Sequence, residues 1–322
     1  MNPFFSIIIP FREWDNCLLE CLEWCSKQEY KKFEIILLPD YKISKNAWEK
    51  MPQKIKVIPT GKIYPSGKRN IGIRNSKGSI CVFIDSDAYP RQDWLKNSIK
   101  YFKNEDIAAV GGSNIPPKND PFLNRITGEI VSNFFAMGAT SKRFKYVKKN
   151  FLTHELSCSN LLIRKSILDK IGGFDEKYLT GEDSKLCYQI RKNGKNILYA
   201  KDVQVFHHQR PWLLRYLKQI WTWGLNKGTL ISKMDSIPKL EYFIPSFFVI
   251  FLIVGFILSF YIKFFSTFYI SIILLYLITS LMFSFKTKIT YFPFIFIGIV
   301  ATHITYGISF LIGMIGSKNR LR

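Results

Sequence analysis

The sequence predicts an α/β domain with a mostly parallel sheet, followed by an all-α membrane region. Three observations carry this. Short apolar runs alternate with helix-length segments up to residue 210. The segment 211–240 mixes tryptophans with basic residues, and from 241 onward charge nearly vanishes. Strands alternating with helices build a parallel sheet covered on both faces.

Residues 6–10 (Ser-Ile-Ile-Ile-Pro) read as a first strand and 33–38 as a second. Between them, 16–28 has helical periodicity with Leu18, Cys21, Leu22 and Cys25 on one face. A third strand is expected at 55–58, a glycine-bounded helix at 67–77 and a fourth strand at 80–84. A helix follows at 94–103 and a strand at 107–111. The stretch 114–150 looks irregular and ends in Lys142, Arg143, Lys145, Lys148 and Lys149. It reads equally as a solvated loop or as one resting near lipid headgroups or covering the acceptor. Residues 161–171 read as one helix stopped by Gly172-Gly173, and 184–192 as another. A strand at 203–206 ends at His207-His208.

From 211 to 233, Trp212, Trp221 and Trp223 alternate with Arg215, Lys218, Lys227 and Lys233, which suits a helix in the headgroup zone. Segments 242–262, 264–285 and 289–317 contain no charged residue. Each reaches the roughly 20 residues needed to cross a bilayer core of about 30 Å. The chain is therefore expected to be a multi-pass cell-membrane protein. Three crossings from a cytosolic domain place Lys286-Thr287-Lys288 in the cytosol, as the positive-inside tendency favours. They also place Lys318, Arg320 and Arg322 outside, against it, unless 289–317 includes an interfacial or re-entrant portion. His303, within that segment, is expected to pack against another helix. Met1-Asn2-Pro3 leads straight into a strand, without the flank of a secretory signal.

The 322 residues carry 46 Lys+Arg against 24 Asp+Glu, a net charge of +22. Such a balance suits anionic lipid, phosphorylated substrates or nucleic acid. The adjoining apolar helices favour lipid, and the chain shows neither zinc-finger spacing nor an RNA-binding aromatic signature. Cys17, Cys21 and Cys25 recur every four residues, but no second ligand pair follows. Their expected role is packing, which agrees with a reducing compartment.

The chemistry begins at Asp85-Ser86-Asp87, which closes the apolar run 79–84. Side chains two apart on a strand share a face, so both carboxylates leave its carboxyl end together. Hard oxygen ligands there suit Mg2+ or Mn2+ carrying a diphosphate. Ligands of open α/β sheets sit beyond the same strand ends.

With these features in order, the first 230 or so residues resemble a family 2 glycosyltransferase of GT-A fold. The motifs are Ser6-Ile7-Ile8-Ile9-Pro10 with Asn16, and Glu34-Ile35-Ile36 leading to Asp40. They continue with Gly67-Lys68-Arg69-Asn70-Ile71-Gly72, Asp85-Ser86-Asp87, Gly172-Gly173-Phe174-Asp175-Glu176 and Gly181-Glu182-Asp183. The resemblance implies a nucleotide-diphosphate sugar donor contacted by Pro10, Arg12 and Glu13, Asp40, Lys68, Arg69, Asn70, Asp85, Ser86 and Asp87. Asp87 is the first expected metal ligand, with Asp85 binding metal, ribose or both, and a strand-end histidine completing the shell. His207 and His208 point to opposite faces, so one reaches the metal, with His207 preferred. Asp183 is the expected base, with Glu182 as the alternative. Asp183 also fits a helix amino-terminal cap.

The implied activity is inverting transfer of a sugar to a hydroxyl of a lipid-linked or cell-surface glycan, with the catalytic domain cytoplasmic. A polyprenyl-phosphate sugar synthase is the nearest alternative. Its anionic nucleophile needs no base, so Gly181-Glu182-Asp183 speaks against it. A non-catalytic membrane adaptor of the same fold is disfavoured by the intact acidic motifs. Gln219-Ile220-Trp221-Thr222-Trp223 is reminiscent of the Gln-x-x-Arg-Trp motif of processive synthases, but Thr222 stands where Arg belongs. An interfacial aromatic patch explains it better.

Overall fold

Alternating inward and outward apolar side chains build the centre of the structure, a computed structural model that describes residues 2–44, 55–177, 181–232 and 240–316. Lys233 and the basic residues Lys318, Arg320 and Arg322 lie outside the described residues. The chain runs β1 (Phe5–Pro10), α1 (Asn16–Ser26), β2 (Phe33–Leu38), β3 (Ile55–Val57), α2 (Pro65–Arg74) and β4 (Ile80–Phe83). Next come β5 (Ala88–Pro90), α3 (Trp94–Ile99), β6 (Ile107–Gly111), β7 (Asn114–Ile115), α4 (Phe122–Ser132) and α5 (Phe134–Met137). After β8 (Phe151–Leu152) follow β9 (Leu161–Arg164), α6 (Lys165–Ile171), α7 (Glu182–Lys192), β10 (Asn196–Tyr199) and β11 (Val205–His207). Four long helices close the list: α8 (Leu214–Ile231), α9 (Ile244–Tyr261), α10 (Lys263–Ser284) and α11 (Phe292–Ile315).

The chain divides into two compact units, Met1–Pro116 with Lys145–His208, and Pro117–Phe144 with Gln209–Arg322. In the first, an eight-stranded sheet has the order β3-β2-β1-β4-β9-β6-β10-β8. Strands β1 to β4 pair in parallel, as do β6 and β10. Strand β9 runs antiparallel to both neighbours, and β8 antiparallel to β10. A three-stranded sheet, β5-β11-β7, stands beside it.

Period-two alternation divides the core. Ile7 and Ile9 face the layer of Leu18, Cys21, Leu22 and Cys25 from α1, whereas Ile8 faces Leu168, Leu186 and Ile190. Asp15 caps α1 by accepting the Leu18 N–H at 2.9 Å. Gly72 lets α2 lie flat on β1, since a Cβ there would come within 2.5 Å of the Ile8 methyl. All six cysteines are free, and all but Cys17 are buried, which agrees with a packing role.

Two sequence expectations change. Residues 161–171 are not one helix: Leu161–Arg164 is the strand β9, inserted between β4 and β6. A three-residue apolar run carries too little periodicity to separate strand from helix, and burial on both faces selected the strand. The stretch 114–150 is not irregular, since it holds β7, α4 and α5. Ile126 and Ile130 of α4 bury against Ile295 and Ile299 of α11, a partner far away in sequence. The short strands β5, β7, β8 and β10 were also unanticipated.

In the second unit three helices are long and apolar enough to cross a membrane: Ile244–Tyr261, Lys263–Ser284 and Ile289–Ile315. The last is uninterrupted from Phe292, after one 3-10 turn at Ile289–Tyr291, without a re-entrant break. Helix α8 is bound lengthwise to α11, in the same direction. Trp212 meets Phe294, and the Tyr216 hydroxyl lies 2.6 Å from that of Thr302. A Cβ on Gly224 would strike Ser309, and one on Gly228 the Phe310 carbonyl. His303 is held between the Tyr276 hydroxyl at 2.9 Å and the Phe135 carbonyl at 2.8 Å, the expected packing role.

Candidate active site

The site lies entirely in the first unit, at the carboxyl ends of β1, β2 and β4. Strand β4 is buried through Ile84, and the chain then turns through half-buried Asp85, Ser86 and Asp87 into β5. The Ala88 N–H closes that turn on the Asp85 carbonyl at 3.0 Å. Ala88 is paired with His207 of β11, which brings the histidine to the acidic lip. His207 Nε2 is 3.1 Å from Asp87 Oδ1. One ligand atom each from Asp85, Asp87 and His207 lies within 4.8 Å of the others. Two carboxylates and one imidazole fit a hard divalent ion such as Mn2+ or Mg2+. His208 faces away from this trio, its Nε2 lying 2.9 Å from Glu20 of α1.

Helix α2 supplies three consecutive polar residues, all buried. Lys68 donates to the Phe11 carbonyl at 2.6 Å and pairs with Asp40 at the end of β2. Burial lowers the Lys68 pKa, and Asp40 opposes that shift. Arg69 donates through Nη2 to Asp85 Oδ1 at 2.8 Å and through Nη1 to Glu182 Oε1 at 2.7 Å. Burial alone would disfavour its charge, but these carboxylates outweigh it and hold the guanidinium protonated.

Asn70, expected at the nucleotide, hydrogen-bonds the segment after α6. It donates to the Phe174 carbonyl and to Glu176, each at 2.8 Å, and accepts the Phe174 N–H at 2.8 Å. Gly173 makes that clamp feasible: its φ is +74°, and a Cβ would lie 2.5 Å from Asn70 Oδ1. Pro10 ends β1 half-buried, while Arg12 and Glu13 are exposed in the loop that follows.

At the start of α7, Gly181 holds the cap position with φ +85°, so Asp183 is not the cap. Asp183 and Glu182 occupy the first turn, where negative charge is favourable. Asp183 Oδ1 accepts the Ser184 N–H at 2.7 Å. Burial raises the Glu182 pKa, opposed by Arg69 and reinforced by Asp183. The buried Cys158 thiol feels Arg69, Asp183, Glu182 and Asp85 together, and burial with these carboxylates pushes it well up. Lip and helix therefore share one neighbourhood.

Sequence reasoning missed Glu20 and Cys158. The only legible signal was that Glu20 and Trp24 are one turn apart, off the apolar face of α1; what stands opposite them depends on β5 and β11.

Residues 6–172 match the model of Glycosyl transferase family 2. The chain is 27% identical over 242 residues to a dolichyl N-acetyl-alpha-D-glucosaminyl phosphate 3-beta-D-2,3-diacetamido-2,3-dideoxy-beta-D-glucuronosyltransferase of Methanococcus voltae, covering 71% of this chain and 74% of that protein. It is 24% identical over 221 residues to glycosyltransferase AglE of Haloferax volcanii, covering 65% and 68%. Among solved structures it is similar to mannosyltransferase PcManGT from Pyrobaculum calidifontis, in complex with GDP-Man and Mn2+. That superposition has a TM-score of 0.53 at 18% identity and covers 72% of this chain and 63% of the mannosyltransferase. With a GT-A fold in its first unit and three apolar helices in its second, this chain belongs to glycosyltransferase family 2.

Proposed function

We propose that this glycosyltransferase moves one sugar, with inversion, from a nucleotide-diphosphate sugar to a hydroxyl of a lipid-linked or membrane-proximal glycan. The observation that carries the reading is Arg69, whose two terminal nitrogens reach Asp85 of the acidic lip and Glu182 of α7. A leaving-group side and an acceptor side spanned by one guanidinium suit a single displacement. A relative named for a dolichyl-linked acceptor supports the acceptor class.

Asp87, Asp85 and His207 would hold Mn2+ or Mg2+, which supplies Lewis-acid neutralisation of the departing diphosphate. Asp40 and Lys68, with Pro10, Arg12 and Glu13 beside them, form the nucleoside end. Asp183 takes the proton of the acceptor hydroxyl while that oxygen bonds the anomeric carbon and the bond to diphosphate breaks. Glu182 is less suited, because Arg69 already engages its carboxylate. The catalytic unit faces the cytoplasm in this reading, in keeping with its free cysteines, and anionic lipid attracts the basic residues beside the apolar helices.

Asp183→Asn tests the assignment. Transfer to a lipid-linked acceptor should fall about 10²- to 10⁴-fold, while donor affinity stays near that of the parent. Unchanged turnover would remove Asp183 from the mechanism.

A further inference from the structure

Glu20 and Trp24 have no role in the transfer described above, yet they are one turn apart on α1 and both meet the strands behind the acidic lip. Glu20 Oε2 lies 2.9 Å from His208 Nε2. The Trp24 ring stacks on Tyr89 with centroids 5.7 Å apart, and Tyr89 stacks on Phe206 at 5.1 Å. Tyr89 and Phe206 form one rung of the β5–β11 ladder, and Ala88 and His207 form the next. His208 then donates its backbone N–H to the Asp87 carbonyl at 3.0 Å. Its ring also packs against Tyr89, with centroids 5.6 Å apart.

Helix α1 thus meets β5 through Trp24 and the residue after β11 through Glu20, one on each side of the Ala88–His207 rung. Consecutive strand residues point to opposite faces, so anchoring the His208 ring at Glu20 fixes the direction in which His207 leaves the backbone. We propose that Glu20 and His208 are a positioning pair that aims His207 at Asp87 and so sets the affinity of the Asp85–Asp87–His207 trio for a divalent ion. This rests on the metal reading of that trio. The physical reason is that β11 is three residues long and His207 is its last member, with little ladder to hold it. Groups bonded directly to a ligating histidine cost about 10- to 100-fold in metal affinity when lost, and Glu20 acts on His207 one residue removed, through the backbone of His208.

Mn2+ binding to the full chain in detergent, read from the free-ion paramagnetic resonance signal, tests this without reference to activity. Glu20→Ala should raise the Kd for Mn2+ about tenfold or more. Glu20→Gln, whose amide oxygen still accepts from the His208 ring, should recover most of that loss. Turnover of Glu20→Ala at saturating Mn2+ should approach that of the parent. His207→Ala is the control on the metal reading. If it binds Mn2+ weakly while Glu20→Ala binds as the parent does, the positioning proposal is overturned. If His207→Ala also binds as tightly as the parent, the metal reading fails first. A lower melting temperature with unaltered Mn2+ affinity would assign Glu20 to packing alone. His208→Ala, read in the same way, covers the case in which Glu20→Ala does not fold.

Discussion

At the turn after β4 two carboxylates, Asp85 and Asp87, are two residues apart; at the start of α7 two more, Glu182 and Asp183, are adjacent. In each pair one member is bound to Arg69. Asp85 and Glu182 share that guanidinium, whereas Asp87 faces His207 and Asp183 accepts a first-turn N–H. The surroundings of the tied members differ: the Glu182 side chain is 12% exposed and that of Asp85 32%. The contrast teaches a division of labour. A single buried cation holds two acidic segments together, and their neighbours serve the metal and the acceptor proton in the proposed reaction.

Removing the shared cation should break both sides at once. Arg69→Met leaves Asp85 and Glu182 facing each other without compensation, and the first unit should lose about 3–5 kcal/mol by denaturant unfolding. Arg69→Lys should restore only part of this, since an ammonium is a point charge without the planar fork. A parent-like midpoint for Arg69→Met would show that the bridge holds nothing.

A smaller loss should follow from Gly173→Ala, at the contact between the acceptor-side turn and α2. It forces a left-handed backbone and a 2.5 Å approach to Asn70, at a cost of about 1–3 kcal/mol. The lip should then keep its Mn2+ affinity, and equal damage to both sides would mean that they are not separable.

The sharing itself is measurable. A double-mutant cycle on Asp85→Asn and Glu182→Gln should show a coupling of about 0.5–3 kcal/mol, because both act through Arg69. Additive losses would contradict the bridge.

The subtlest effect is in pH. Burial raises the Glu182 pKa, so the folded state holds that proton more tightly than the unfolded chain. The stabilisation is complete below the ordinary glutamate pKa and is lost as the pH rises through the folded value. The stability of the parent relative to Glu182→Gln should therefore fall as pH increases across that window, in thermal unfolding at matched ionic strength. A difference that rose with pH would reverse the inferred sign.

Much of the site was legible because its chemistry is local. The Asp85-Ser86-Asp87 turn follows from an apolar strand that stops, and the opposite facing of His207 and His208 follows from strand alternation. The direction taken by Asn70 was not legible. The resemblance implied a nucleotide contact, but Gly173 opens a space that only the folded chain brings against α2. Helix α4 was hidden for a similar reason: Ile126 and Ile130 acquire meaning opposite Ile295 and Ile299.

By itself the sequence determined strands β1 to β4 and β6 with helices α1 to α3, the acidic motifs and the three apolar segments. These depend on hydropathy, periodicity and glycine placement within about twenty residues. Only the tertiary structure decided that Leu161–Arg164 would be a strand, that α8 would lie along α11, and that Arg69 would join carboxylates 16 and 113 positions away. Those outcomes depend on which surfaces meet when helices cover both faces of one sheet, and no local pattern encodes that.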